Sequence, residues 1–145
     1  MVAWPAEPIN NDEPSVLITD DSQSWRSVVE EVLARSGFRT RQAACGEEAI
    51  ELVRTEWIDI VLIDFHMPRL DGIETLRIIR AAGNWQPAVM MTGQPEDVPH
   101  DEAQALKVES IMAKPADRQV IVTTVTRIVR RTTAGPEAVP GWSPE

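Results

Sequence analysis

Short apolar runs and helical periods alternate along this chain. Val16, Leu17 and Ile18, closed by Thr19, form a continuous apolar run of the kind that fills a strand buried on both faces. Directly after it Trp25, Val28, Val29, Val32 and Leu33 recur at helical spacing, which predicts an amphipathic helix stopped by Gly37. Phe38 to Ala43 mixes charge with apolar positions and suits a strand at a sheet edge. The two periods then repeat. A helix is predicted over Gly46 to Thr55, a buried strand over Asp59 to Asp64, and a helix over Asp71 to Ala82, whose Asp71 and Glu74 have the spacing of a capping box. Gly83 ends that helix, and Ala88 to Thr92 follows Pro87 as a fourth strand. The acidic segment Glu96 to Lys107 reads as a fourth helix interrupted by Pro99, Val108 to Ala113 as a fifth strand, and about Asp117 to Arg131 as a fifth helix. Val120 to Thr126 is rich in β-branched residues, which disfavour a helix. Ile121, Val122, Val125, Ile128 and Val129 nonetheless keep helical spacing, which packing enforces.

Strands alternating with helices predict an α/β domain: one doubly wound parallel sheet with right-handed crossovers and helices on both faces. Its span is 15–131. Residues 1–14, with Pro5, Pro8 and Pro14, and residues 132–145, with Pro136, Pro140 and Pro144, are expected to be disordered tails. Trp4 and Trp142 lie in those tails, where they are free to dock on this chain or on a partner.

Composition narrows this picture modestly. The 145 residues suffice for one core, and 43% hydrophobic with 26% charged residues are ordinary for a globular domain. No stretch approaches the roughly 20 apolar residues of a membrane helix. The first residues lack the basic region and apolar core of a signal peptide, so the cytoplasm is the expected compartment. A net charge of −9 opposes nucleic-acid binding, and Arg127, Arg130 and Arg131 read as dipole partners in the last turn of the final helix. Cys45, a single cysteine, has no disulfide partner and reads as a small residue at a helix start.

The chemistry sits at the strand ends. Asp20 and Asp21 close the first strand, Asp64 the third, Thr92 and Gly93 the fourth, and Lys114 and Pro115 the fifth. In parallel sheets ligands bind beyond the carboxyl ends of the strands, where strand order reverses. Two carboxylates about 4 Å apart repel by roughly 4 kcal/mol at an effective dielectric near 20, so three acids in one crevice imply a cation. Oxygen donors that leave room for several waters suit magnesium. An aspartate attacks a phosphoryl group once the phosphoryl oxygens are neutralised and held in line, and Lys114 and Thr92 supply an ammonium and a hydroxyl for that purpose. Asp64, alone at the end of the middle strand, is the best nucleophile. The structural alternatives are Asp20 and Asp21 as helix caps, Asp64 as a turn residue, Lys114 as a solvated lysine and Thr92 as a hydroxyl satisfied by backbone.

The segments Val-Leu-Ile-Thr-Asp20-Asp21, Asp-Ile-Val-Leu-Ile-Asp64-Phe-His-Met-Pro68-Arg-Leu-Asp71-Gly72, Val-Met-Met-Thr92-Gly and Ile-Met-Ala-Lys114-Pro115 resemble, in order and spacing, the receiver domain of bacterial two-component response regulators. The resemblance covers about residues 15–131. It implies a flavodoxin-like (βα)5 domain with sheet order 2-1-3-4-5. It further implies that Asp64 accepts a phosphoryl group from a sensor histidine kinase or a histidine phosphotransfer protein. Mg2+ would be held by Asp21, Asp64 and the backbone carbonyl of His66, with Asp20 acting through water. Lys114 would contact the phosphoryl group, Thr92 would act as the switch hydroxyl, Gly93 would leave the approach open, and Lys114-Pro115 would be a cis peptide. The His66 side chain reads either as a modulator of water attack or as a passive loop histidine, and Trp25 as a core residue or a border of the site. His100 has no evident partner. Ile111 stands where the family usually carries Tyr or Phe. Together with Pro99 it implies a switch through Thr92 and its loop without an aromatic rotamer change.

With 14 residues after Arg131, the expected role is a stand-alone receiver that signals to a downstream protein target by phosphorylation-dependent protein–protein interaction. It is expected to be a monomer or weak dimer, without direct nucleic-acid binding, membrane insertion or enzymatic turnover beyond its own phosphorylation and dephosphorylation. Alternatives are a phosphorelay shuttle, a phosphorylation-independent interaction module and an aspartyl-nucleophile phosphatase. Haloacid-dehalogenase-like phosphatases separate two aspartates by one residue, whereas Asp20 and Asp21 are adjacent.

Overall fold

The computed structural model describes residues 13–134; the tail predictions for 1–12 and 135–145, Trp4 and Trp142 included, fall outside the described residues. Five strands, β1 (Ser15–Thr19), β2 (Arg39–Ala43), β3 (Ile60–Ile63), β4 (Ala88–Thr92) and β5 (Val108–Ala113), alternate with α1 (Gln23–Arg35), α2 (Gly46–Thr55), α3 (Gly72–Ala81), α4 (His100–Ala105) and α5 (Arg118–Ala134). The strands form one parallel sheet in the order β2-β1-β3-β4-β5. The chain leaves β1 toward one side to make β2 and returns to the other side for β3, so the order reverses between β1 and β3.

The two faces of the sheet explain the apolar runs. Successive strand residues point to opposite faces. Leu17, Val61, Ile63 and Met90 join Val53, Leu76 and Ile79 in the cluster under α2 and α3. Val16, Ile18, Leu62 and Val89 join Val29, Leu33, Ile121, Val125 and Ile128 in the cluster under α1 and α5. Burial of a side chain of this size contributes about 1.5–3 kcal/mol, which is why β-branched Val125 and Ile128 sit in a helix against their intrinsic preference.

Local signals set the element ends. Asp71 accepts from the Glu74 backbone N–H at 2.8 Å while the Glu74 carboxylate accepts from the Asp71 N–H at 2.9 Å, the capping box expected from the spacing. Gly37 adopts φ +94, and the N–H of Phe38 returns to the Leu33 carbonyl at 3.1 Å. Phe38 is thereby spent on closing α1, and β2 begins one residue later than expected. Pro99 does not interrupt a helix. A 3-10 turn over Pro95–Asp97 precedes it, and Pro99 itself caps a six-residue α4, since its missing N–H costs nothing there. At the other end α5 runs through Ala134 instead of stopping at Arg131, so the tail boundary at 132 is corrected; Thr132 Oγ1 donates to the Ile128 carbonyl at 2.9 Å in this added turn.

Arg80 of α3 is a polar helix position that folding buries to 4% exposure. Its guanidinium donates to the carbonyls of Leu106 (2.8 Å) and Asn84 (3.0 Å) and to Gln86 Oε1 (3.0 Å), tying α3 to the two loops at its C-terminal end. Burial lowers its pKa to about 10, which leaves it charged at neutral pH. No helix among the described residues is long and apolar enough to cross a membrane.

Candidate functional site

Register assembles the site. Thr19 pairs with Ile63 across β1 and β3, so the next residues, Asp20 and Asp64, leave the sheet side by side. Thr92 pairs with Ala113 across β4 and β5, and the Lys114 N–H donates to the Thr92 carbonyl at 2.8 Å, which brings Lys114 to the same edge. The carboxylates of Asp20, Asp21 and Asp64 each offer an oxygen within 4.8 Å of the others. Lys114 Nζ lies 2.7 Å from Asp20 Oδ2 and 3.3 Å from Asp64 Oδ2.

The adjacent aspartates are not equivalent. Asp20 is 2% exposed, and its second oxygen accepts the Ser22 N–H at 2.8 Å, whereas Asp21 faces solvent. Ser22 in turn caps α1 by accepting from the Trp25 N–H at 3.3 Å, so the cap is Ser22 and both aspartates are left to the crevice. Asp64 is 6% exposed, and its Oδ1 accepts the His66 N–H at 3.3 Å. Gly72 makes this position possible. A Cβ there would stand 2.5 Å from the Asp64 carbonyl, so only glycine lets α3 start directly against the acid.

Burial raises the pKa of Asp64, and the charge of Asp20 raises it further; Lys114 and the His66 N–H oppose without cancelling them. For Lys114 burial acts downward, but its hydrogen bond to Asp20 and the charges of Asp20 and Asp64 prevail, so its pKa is raised and the ammonium is secured. Three acids against one lysine leave a negative surplus in the crevice. All donors are hard oxygens on a partly open edge, and the residues therefore fit a small divalent cation such as Mg2+.

Around this centre Thr92 is fully buried and its Oγ1 accepts the Gln94 N–H at 3.2 Å. Gly93 faces open space, with nothing within 4 Å of a Cβ built on it. The Lys114-Pro115 bond is cis. Trp25 belongs to both of its expected settings: it packs on the α1–α5 core cluster, and Lys114 Nζ lies 5.9 Å from its ring centroid. His66 projects outward and reaches Asp97 Oδ2 at 3.0 Å, a partner the sequence reading missed. His100 is exposed at the first residue of α4, and Ile111 packs against the core cluster containing Met90 and Ala103. Cys45 is the N-cap position of α2.

Fold and site together define a doubly wound α/β domain with an acid–lysine crevice at its switch point. Residues 16–126 match the family model described as the response regulator receiver domain, and the chain belongs to that family. It is 31% identical over 116 residues to the alkaline phosphatase synthesis transcriptional regulatory protein PhoP of Bacillus subtilis, covering 80% of this chain and 48% of that protein. With CpxR of Escherichia coli the identity is 29% over 116 residues, covering 80% and 49%. The chain thus spans about half the length of these regulators. The chemotaxis response regulator CheY4 of Vibrio cholerae superposes with a TM-score of 0.73 at 28% identity, covering 80% of this chain and 98% of that one.

Proposed function

We propose that Asp64 is a phosphoacceptor, charged by a phosphohistidine of a sensor histidine kinase or histidine phosphotransfer protein, and that the resulting acyl phosphate switches the affinity of this domain for a downstream protein. The observation that carries this reading is Lys114 Nζ held between Asp20 and Asp64, at 2.7 and 3.3 Å, on the edge where Thr92 also lies.

In the transfer an Asp64 oxygen attacks phosphorus, the new O–P bond forms as the P–N bond breaks, and the electron pair returns to the departing imidazole. Lys114, already paired with Asp64, follows the charge onto the phosphoryl oxygens. Thr92 supplies a hydroxyl donor once it turns from the Gln94 amide. Gly93 keeps the approach clear. Asp21, Asp64 and the His66 backbone carbonyl would hold Mg2+, with Asp20 at one water's remove, and the ion would neutralise the acids and the incoming phosphoryl charge. The domain modifies itself and turns over no external substrate beyond its donor. Charge −9 favours a protein target over nucleic acid, and a cytoplasmic setting suits the kinase donor.

The test is intact-mass spectrometry after incubation with Mg2+ and acetyl phosphate. The chain should gain the mass of one HPO3, and Asp64→Asn should not. An adduct that persists in Asp64→Asn refutes the assignment of the acceptor.

A further inference from the structure

The opposite edge of the sheet carries a second cavity that the phosphoryl chemistry does not use. It measures about 310 Å³ and lies between the loops that lead into β3 and β4. Trp57, Trp85 and Pro87 supply its apolar walls, Lys107 part of its rim, and Thr132 of α5 one side. That volume is at the lower end of the roughly 300–1,000 Å³ of ligand pockets, room for one bulky aromatic group and a neighbour.

Its aromatic walls are fixed in advance. Trp57 donates its indole N–H to Asp59 Oδ1 at 2.8 Å, and the Trp85 ring, 47% exposed, lies 5.3 Å from the Arg80 guanidinium carbon. The acids of the rim are engaged: Asp59 Oδ2 accepts the Ser15 N–H at 2.7 Å, and Glu56 pairs with Arg41. Lys107 Nζ donates to the Trp85 carbonyl at 3.0 Å and has no carboxylate partner among the described residues. The cavity therefore presents indole faces beside an uncompensated ammonium.

We propose that the chain's own segment 135–145 docks here, with Trp142 seated between Trp57 and Trp85. Thr132 forms part of the wall, and α5 ends two residues later at Ala134. The eight residues 135–142 then allow a reach of up to about 26 Å, more than the cavity requires. The tether holds the local concentration of Trp142 near the millimolar range, so weak contacts suffice. Pro140 and Pro144 flank Trp142 and restrict the conformations that docking must freeze, and proline-rich stretches settle on aromatic walls in this way. The segment carries Glu137 and Glu145 and no Lys or Arg, which complements Lys107.

Nuclear Overhauser spectra of the full chain should connect the Trp142 indole protons with those of Trp57, Trp85 or Pro87. Trp142→Ala should shift the amides of Asn84, Trp85, Gln86 and Lys107 and leave those of Asp20 and Asp64 in place. Trp85→Ala, at an exposed position, should release Trp142 and abolish the cross-peaks, and none of these effects should change on dilution. The proposal is overturned if Trp142 gives no cross-peak and its replacement moves no cavity amide. It is equally overturned if the shifts vanish on dilution, which points to a second copy, or if Trp4→Ala produces them, which points to residues 1–12.

Discussion

Replacing Asp64 with asparagine should make the metal-free domain more stable. At an effective dielectric near 20, Asp20 opposes the Asp64 charge by at least about 3.5 kcal/mol for oxygens within 4.8 Å of each other, and Lys114 at 3.3 Å returns about 5 kcal/mol. That attraction is shared with Asp20, and a carboxylate with 6% of its side chain exposed also carries a desolvation cost of several kcal/mol, so the balance falls against the charge. The raised pKa of Asp64 has the same sign. Asparagine keeps the shape and one acceptor for Lys114 or the His66 amide while removing the charge. The expected gain at neutral pH is about 1–2 kcal/mol, or about 4–8 °C in Tm for a domain of this size. The pH dependence follows from the direction of the shift. Below the unfolded carboxyl value, near about 3.9, Asp64 is protonated in both states and the substitution is neutral. The penalty on the native chain grows as pH rises from there toward the raised folded value and is complete above it. Urea titrations of both chains in chelator, from about pH 4 to about pH 7.5, read this directly as a widening gap in midpoint. A gap that stays constant with pH, or an Asp64→Asn chain less stable at neutral pH, refutes the reasoning.

Three further outcomes test the packing. Gly72→Ala places a Cβ 2.5 Å from the Asp64 carbonyl and 3.1 Å from the Phe65 Cα, both backbone, and should cost about 2–3 kcal/mol by urea denaturation. Gly46→Ala should cost a comparable amount, because its Cβ would collide with the Oγ1 of Thr75, a fully buried β-branched residue whose hydroxyl donates to the Asp71 carbonyl, with Leu70 Cβ 3.1 Å away. Arg80→Ala leaves the Leu106 and Asn84 carbonyls without their donor and opens a void, so the midpoint should fall by the equivalent of about 3 kcal/mol, with partial recovery in Arg80→Lys. Asp97→Ala removes an exposed pair with His66 and should change stability by less than about 0.5 kcal/mol while speeding amide exchange over the Pro95–Asp97 turn.

The parts of this molecule that were legible in its sequence are those where one physical rule acts locally. A strand covered on both faces must be apolar at every position, which made β1, β3 and β4 visible, and the reciprocal bonds of Asp71 and Glu74 announced α3. The site was legible because each of its side chains directly follows or ends a strand. What stayed hidden depends on distant geometry. Arg80 looked like any polar helix position, since its burial is compensated by carbonyls that two loops bring to it. Asp97 lies in a single 3-10 turn that has no period to detect, and its meeting with His66 spans 31 residues. The resemblance gave Asp20 and Asp21 different roles toward the cation, but that Asp20 is the one buried against Lys114 was not legible, because a one-residue step at a strand end decides which carboxylate turns in.

Lys114 stands 94 residues from Asp20 and 50 from Asp64. It directly follows β5, an edge strand held in the sheet by β4 alone. Fraying of that edge would withdraw the ammonium from Asp20 and Asp64 and leave the two acids facing each other unscreened, so the integrity of an edge strand and the charge balance of the crevice are one property.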